Sequence, residues 1–207
     1  MFQEAISLMG RHFSDIRWIG LIFLFAIGYG FLNRPWFGKK PFSLVLPLDK
    51  KIPFVPWTIV PYNFWYPILL PTCVCLAIWE KPQFYHFLSA YALGSFAAFL
   101  IFLFFQNEVP RTNSLEGSAF SRWLLRLTWR MDRPYNGFPS IHVFACTLTL
   151  LAVFASSFPL AGKLFIAVSQ PIIMASTLTT KQHVVLDVLG GAFLAWLSWT
   201  LSSGLLY

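Results

Sequence analysis

His183 and Asp187 stand four residues apart in "TTKQHVVLDVLGG" (179–191), with apolar residues on both sides. On one continuous helix, Ser176, Thr180, His183, Asp187 and Gly190 would share a face, a polar stripe on an apolar segment. Burying an ionisable group in a membrane span costs several kcal/mol unless it is paired. A carboxylate one turn beyond a histidine accepts a hydrogen bond from one ring nitrogen and leaves the other unprotonated and nucleophilic. The bland alternative is a structural pair in which each group satisfies the other.

A second constellation lies upstream. "DRPYNGFPSIH" places Asp132, Arg133, Asn136, Ser140 and His142 within 11 residues. Pro139 and Ser140 make a helix start with Ser140 as N-cap, and the free N–H groups of that first turn can hold an anion. His142 then falls in the first turn, at the same membrane face as His183. Two histidines, an aspartate, a helix N-terminus and clustered arginines at one depth form a phosphate-handling set. Two other chemistries use the same residues. One is a proton relay in a transporter, which the position of both histidines at a membrane edge disfavours. The other is a metal site with His142, His183 and Asp187 as ligands.

The elements that must position these residues are membrane helices. Of 207 residues, 57% are hydrophobic, 19% aromatic and 11% charged. A soluble domain carries about 25% charged residues, so this chain could not cover its surface in water. The expected fold is all-α: one domain, a polytopic membrane helix bundle of about six transmembrane helices. The spans run from Trp18, then 57–79, 84–105, 141–158, 164–180, and from near His183 to the end. Pro61, Pro67 and Pro71 should kink the second. Residues 1–17 read as an interfacial segment. Residues 106–140 form a polar loop holding a surface amphipathic helix, with Trp123, Leu124, Leu127 and Met131 on one face and Arg122, Arg126 and Arg130 on another. The net charge of +7 lies between apolar spans, which points to lipid headgroups or a phosphorylated substrate rather than nucleic acid. Cys73, Cys75 and Cys146 lie in apolar runs and read as core residues.

"PYNGFPSIH" followed about forty residues later by "STLTTKQHVVLDVLGG" resembles the type-2 phosphatidic-acid phosphatase superfamily of lipid phosphatases and phosphotransferases. That family carries Lys-x6-Arg-Pro, Pro-Ser-Gly-His and Ser-Arg-x5-His-x3-Asp. The second motif stands here as Pro139-Ser140-Ile141-His142. The third stands as Ser176-Thr177, five residues, His183, three residues, Asp187. For the first motif, Arg111 in "VPRT" occupies the expected place without the lysine, and Arg133-Pro134 is a literal Arg-Pro closer to the second. The isoleucine and threonine replacements, with "LPLDKKIPFVPWTIVPY" near residue 50, are similar to the inositol-phosphorylceramide-synthase-like branch. The resemblance covers roughly residues 45–195.

The resemblance implies a cofactor-free, metal-free, two-step phosphoryl transfer. His183 would be the nucleophile, Asp187 its orienting group and His142 the proton donor to the departing oxygen. Arg111, Lys181, the amide of Ser140 and Arg133 would hold the phosphate. The substrate would be a lipid phosphate such as phosphatidic acid or a polyprenyl diphosphate, with membrane lipids around it. Hydrolysis and transfer of a phosphorylated headgroup share the first step. Nothing in the pattern specifies an oligomeric state. The motif-bearing side carries eleven Lys and Arg against four, which by the positive-inside rule is cytoplasmic. The family faces outward, and that extracytoplasmic orientation is taken as the expectation.

Overall fold

The computed structural model describes residues 7, 10–34, 41–112 and 115–206. The helices are α1 (Phe13–Leu32), α2 (Pro56–Trp79), α3 (Lys81–Phe104), α4 (Ala119–Met131), α5 (Ile141–Phe154), α6 (Leu160–Thr179) and α7 (Val185–Leu206). Among the described residues there is no strand, only isolated bridges between Phe42 and Asn107 and between Glu108 and Tyr135. Helices α1, α2, α3, α6 and α7 are long and apolar enough to cross a bilayer, which makes this an integral membrane protein.

The fourth expected span is different. α5 has 14 residues, about 21 Å, short of a hydrocarbon core of about 30 Å. It packs against α2, α3, α6 and α7 and is largely hidden from lipid. Its Phe144 and Leu148 join Phe84, Phe87 and Tyr91 of α3 and Leu69 and Leu76 of α2 in the main core. A helix sheathed by protein is not bound to the bilayer's thickness. It stops at Phe154, not Phe158, because Ser156 Oγ donates to the Val153 carbonyl and Pro159 disfavours helical backbone at Phe158.

The first span also differs from expectation. After a turn at His12, α1 starts at Phe13 and runs unbroken through a 3₁₀ turn at Arg17–Ile19. Asp15 explains the early start: it is buried, 2.6 Å from Lys81 Nζ and accepting the Tyr85 hydroxyl at 2.7 Å. Asp15 thus ties the start of α1 to α3, while Arg11, Phe13, Ser14 and Arg17 are exposed; of the segment expected at the interface, residues 1–6, 8 and 9 lie outside the described residues. α2 breaks at Phe64 between Ile59–Asn63 and Trp65–Trp79, and Pro71 sits inside the longer piece.

The amphipathic helix α4 is present, with Ser118 accepting the Ser121 N–H as its N-cap. Ser121, Leu125 and Thr128 face the protein, Leu125 packing on Ile59 and Tyr62. Phe120, Trp123, Leu127 and Met131 are exposed together.

Three connecting segments meet at one end of the bundle. The Val55 N–H donates to the Thr179 carbonyl, the Phe42 N–H to that of Gln106, and the Ser140 N–H to that of Asp187. The other end is marked by Asp15–Lys81 and by Glu80, which accepts from the Ser157 N–H and hydroxyl.

Candidate active site

His183 sits in a turn, not on a helix face. α6 ends in a Schellman motif: the Lys181 N–H donates to the Leu178 carbonyl at 3.2 Å and the Gln182 N–H to that of Thr177 at 3.0 Å. Lys181 adopts φ +56 at the position where glycine is usual. The His183 N–H shares the Thr177 carbonyl at 3.0 Å, which anchors the residue. The expected stripe from Ser176 to Gly190 is therefore broken. Ser176 and Thr180 turn their hydroxyls back onto the Ile173 and Ser176 carbonyls, as buried helical hydroxyls do.

Asp187 lies in the first turn of α7 and reaches back to the Val184 N–H at 3.0 Å, the carboxylate half of a capping box. The same Oδ2 lies 3.3 Å from Nδ1 of His183. One aspartate thus caps the helix and orients the histidine, at a helix N-terminus whose dipole favours its negative charge. With Nδ1 engaged, Nε2 is the remaining ring nitrogen.

His142 comes from the opposite direction. Ser140 is the N-cap of α5, its Oγ accepting the Val143 N–H at 3.3 Å, which places His142 in the first turn. Its ring lies between Tyr62 and Trp65, with centroids at 4.4 and 4.6 Å, and 5.7 Å from the ring of His183. Both histidines line a cavity of about 260 Å³ that runs between α1, α2 and α3 past Tyr29, Tyr66 and Tyr91. His183 also borders a second cavity of about 340 Å³ under the 45–52 segment.

The proposed phosphate holders fare unequally. Arg111 donates to the carbonyls of Trp129, at 3.2 Å, and of Asp132, and its guanidinium lies over the Trp129 ring. Burial pushes its pKa down, and the nearby Asp132, Tyr62 and Tyr29 oppose that. Asp132 in turn accepts from Tyr29, Asn33 and Tyr62 at 2.8, 2.6 and 3.3 Å. Arg111 therefore reaches the His142 end of the site through Asp132 and Tyr62. Arg133 is exposed, and neither it nor Arg111 lines either cavity; of the two, Arg111 is the one joined through Asp132 to Tyr62 beside His142.

Lys181 donates to the carbonyls of Asp49, at 3.0 Å, and Ile52, at 2.6 Å. Burial holds its ammonium below the usual lysine range, opposed by Asp49. Its role here is to strap the 46–52 segment across the site, together with Asp49, whose carboxylate accepts the Val185 and Leu46 N–H groups. The amide of Ser140, expected on the phosphate, is spent on the Asp187 carbonyl at 3.0 Å. The free donors of that turn are the Ile141 and His142 amides, since a helix leaves its first N–H groups unsatisfied. Asn136 is structural: at φ +60, it donates to the Leu32 carbonyl and accepts from Gln106.

The site contains residues that sequence spacing gave no reason to select. Tyr62, Trp65 and Asn107 lie 76 to 80 positions from the histidines they serve, and Asp49 sits in a proline-rich connector. Only the similarity of the segment near residue 50 pointed toward Asp49.

The family model for the PAP2 superfamily matches residues 41–201. The chain belongs to the PAP2 superfamily. Comparison with curated proteins and with solved structures gave no match. The matched stretch takes in Tyr62, Trp65, Asn107, Arg111, His142, His183 and Asp187, and leaves α1 outside it. Membership in the PAP2 superfamily makes this a phosphatase- or phosphotransferase-type enzyme acting on phosphate esters. Among the described residues, no group of three or more His, Cys, Asp or Glu is placed to hold a metal ion.

Proposed function

We propose that this PAP2 superfamily member is a lipid-phosphate phosphatase working through a phosphohistidine. The observation that carries the reading is the pair of histidine rings 5.7 Å apart at the mouth of an apolar cavity, one of them bonded through Nδ1 to Asp187.

In the first step His183 Nε2 attacks phosphorus in line, and the bond to the lipid oxygen breaks. His142 gives its proton to that oxygen, and the lipid alcohol leaves. The imidazolium forming at His183 is stabilised by Asp187, which is already oriented and needs no reorganisation. In the second step water attacks phosphorus, His142 takes its proton, and the N–P bond breaks to release inorganic phosphate. Arg111 and the free amides at the start of α5 neutralise the equatorial oxygens. The lipid chain lies in the cavity lined by Tyr29, Tyr66 and Tyr91.

The same cavity supports a second reading, transfer of a phosphorylated headgroup. It gives an acceptor lipid a place beside His142, where its hydroxyl would replace water in the second step.

The test is phosphate release from a panel of lipid phosphates in detergent with EDTA, wild type beside His183→Ala. Chelator-resistant release that His183→Ala abolishes is the expected result. Absence of release from every lipid by folded wild type refutes hydrolysis. Product formation only when an acceptor lipid is added would replace it with transfer. The site is taken to face the outside of the cell. Glu116→Cys, on the exposed turn before α4, should then react with a membrane-impermeant thiol reagent in intact cells; labelling only after lysis reverses the orientation.

A further inference from the structure

Asn107 lies in the short polar segment after α3, four residues before Arg111, and its side chain is buried. Its amide orientation is settled by its partners. Oδ1 accepts the Phe138 N–H at 2.7 Å, so the NH2 group must point the other way. There Nδ2 lies 3.3 Å from Asp187 Oδ1. The backbone on both sides is pinned: the Asn107 carbonyl accepts the Asn136 N–H at 3.0 Å, and the Val109 N–H donates to Pro134 at 2.9 Å. Gly137 leaves the necessary space. A Cβ there would stand 2.8 Å from Asp187 Oδ2 and 3.0 Å from Asn107 Nδ2.

Asp187 is thus held on both edges. Oδ2 takes the Val184 N–H and His183, and Oδ1 takes Asn107. We infer that Asn107 is a positioning residue for phosphoryl transfer, acting through Asp187 on His183; this rests on the reading of His183 as nucleophile. Without a donor on Oδ1 the carboxylate is held by Oδ2 alone and turns more widely about its terminal torsion, which is broad and roughly two-fold. That motion releases Nδ1 and with it the direction of Nε2. The imidazolium formed on attack needs a fixed carboxylate, so the effect belongs to the chemical step and appears in kcat, not KM. The segment that delivers Arg111 also delivers the amide that steadies the nucleophile's partner.

Two substitutions separate positioning from packing. Asn107→Asp keeps the shape and the oxygen that accepts from Phe138 but loses the fixed amide donor: the new carboxyl either opposes Asp187 as a second anion or shares one proton with it, and both weaken Asp187 as the partner of a cationic His183. Asn107→Ala removes both bonds. A positioning role gives Asn107→Asp a kcat loss of roughly 10- to 100-fold with KM nearly unchanged. In an Asp187→Asn background the same change adds little, because residues acting as a unit are not additive. A second readout needs no turnover: carbethoxylation of His183 by diethylpyrocarbonate, followed by mass spectrometry, should slow several-fold in both variants.

Wild-type kcat in folded Asn107→Ala, losses that multiply with Asp187→Asn, or an unchanged carbethoxylation rate would each overturn the inference. If wild type releases no phosphate yet His183 carbethoxylation slows in Asn107→Asp, the positioning role stands and the phosphatase reading falls.

Discussion

Gly191→Ala should cripple catalysis while leaving most of the fold intact. A Cβ at Gly191 would lie 2.4 Å from the Ser140 carbonyl oxygen, 3.1 Å from Val143 Cβ and 3.2 Å from the Phe144 nitrogen. Two of these are backbone atoms of α5's first turn, so no side chain can step aside. A carbon–oxygen contact settles at about 3.3 Å or beyond, so α5 and α7 would have to part by about 0.9 Å. α5 carries His142, and the start of α7 carries Asp187 with His183 beside it. Misplacement on the order of 1 Å costs roughly 100-fold in rate, so kcat should fall roughly 10- to 100-fold. Stability should fall by about 1–3 kcal/mol from overpacking, against a helix-propensity gain of up to about 1 kcal/mol. Gly190→Ala is the matched control. The three atoms nearest its Cβ would all belong to the Phe138 ring, the first at 2.4 Å, and that ring borders a cavity of about 430 Å³ into which it can turn. The assay is phosphate release per folded molecule, with thermal melting of each variant in the same detergent. Gly191→Ala retaining half of wild-type kcat, or Gly190→Ala proving equally damaging, would refute the helix-separation reasoning.

Tyr62→Phe keeps the ring on His142 and loses only a 3.3 Å bond to Asp132, so kcat should stay within about 3-fold of wild type. Tyr62→Ala removes one wall of the histidine's aromatic clamp and should cost roughly 10-fold. Equal losses in the two variants would place the effect in the hydroxyl instead. Lys181 has its folded pKa lowered by burial, so between that value and the ordinary 10.5 the unfolded chain binds more protons. Stability contributed at this site therefore rises with pH through that alkaline window, while the neutral amine still donates to Asp49 and Ile52. Melting measured against pH should show this upward contribution in wild type and lose it in Lys181→Met; parallel curves would disprove it.

The dyad was legible because helix periodicity and spacing are local. His183 and Asp187 are four residues apart, and Ser140 before an apolar run is an N-cap by its own chemistry. The amphipathic helix was visible for the same reason, and α4 appears between Ser118 and Asp132. The same local rules misplaced what depends on neighbours. A single helical stripe through Ser176 and His183 ignored the Schellman turn that Lys181 closes. The partners of Asp15, Lys81 and Tyr85, lie on another helix and were beyond those rules. The Ser140 amide looked available for phosphate, but the Asp187 carbonyl occupies it.

By itself the sequence determined a membrane-embedded helical protein with a histidine–aspartate pair and a capped second histidine. Apolar length, capping chemistry and helical spacing act over a few residues and need no knowledge of the fold. Tertiary structure decided that Arg111 is tied to the Trp129 and Asp132 carbonyls, that Lys181 and Asp49 fasten a strap beside His183, and that Tyr62 and Trp65 flank His142 while Asn107 meets Asp187. It also decided that α5 is short, since a helix enclosed by four others answers to packing rather than to bilayer thickness. Those are contacts between residues far apart in the chain. They arise where Gly137 and Gly191 let backbone and side chains approach closely enough for hydrogen bonds to form.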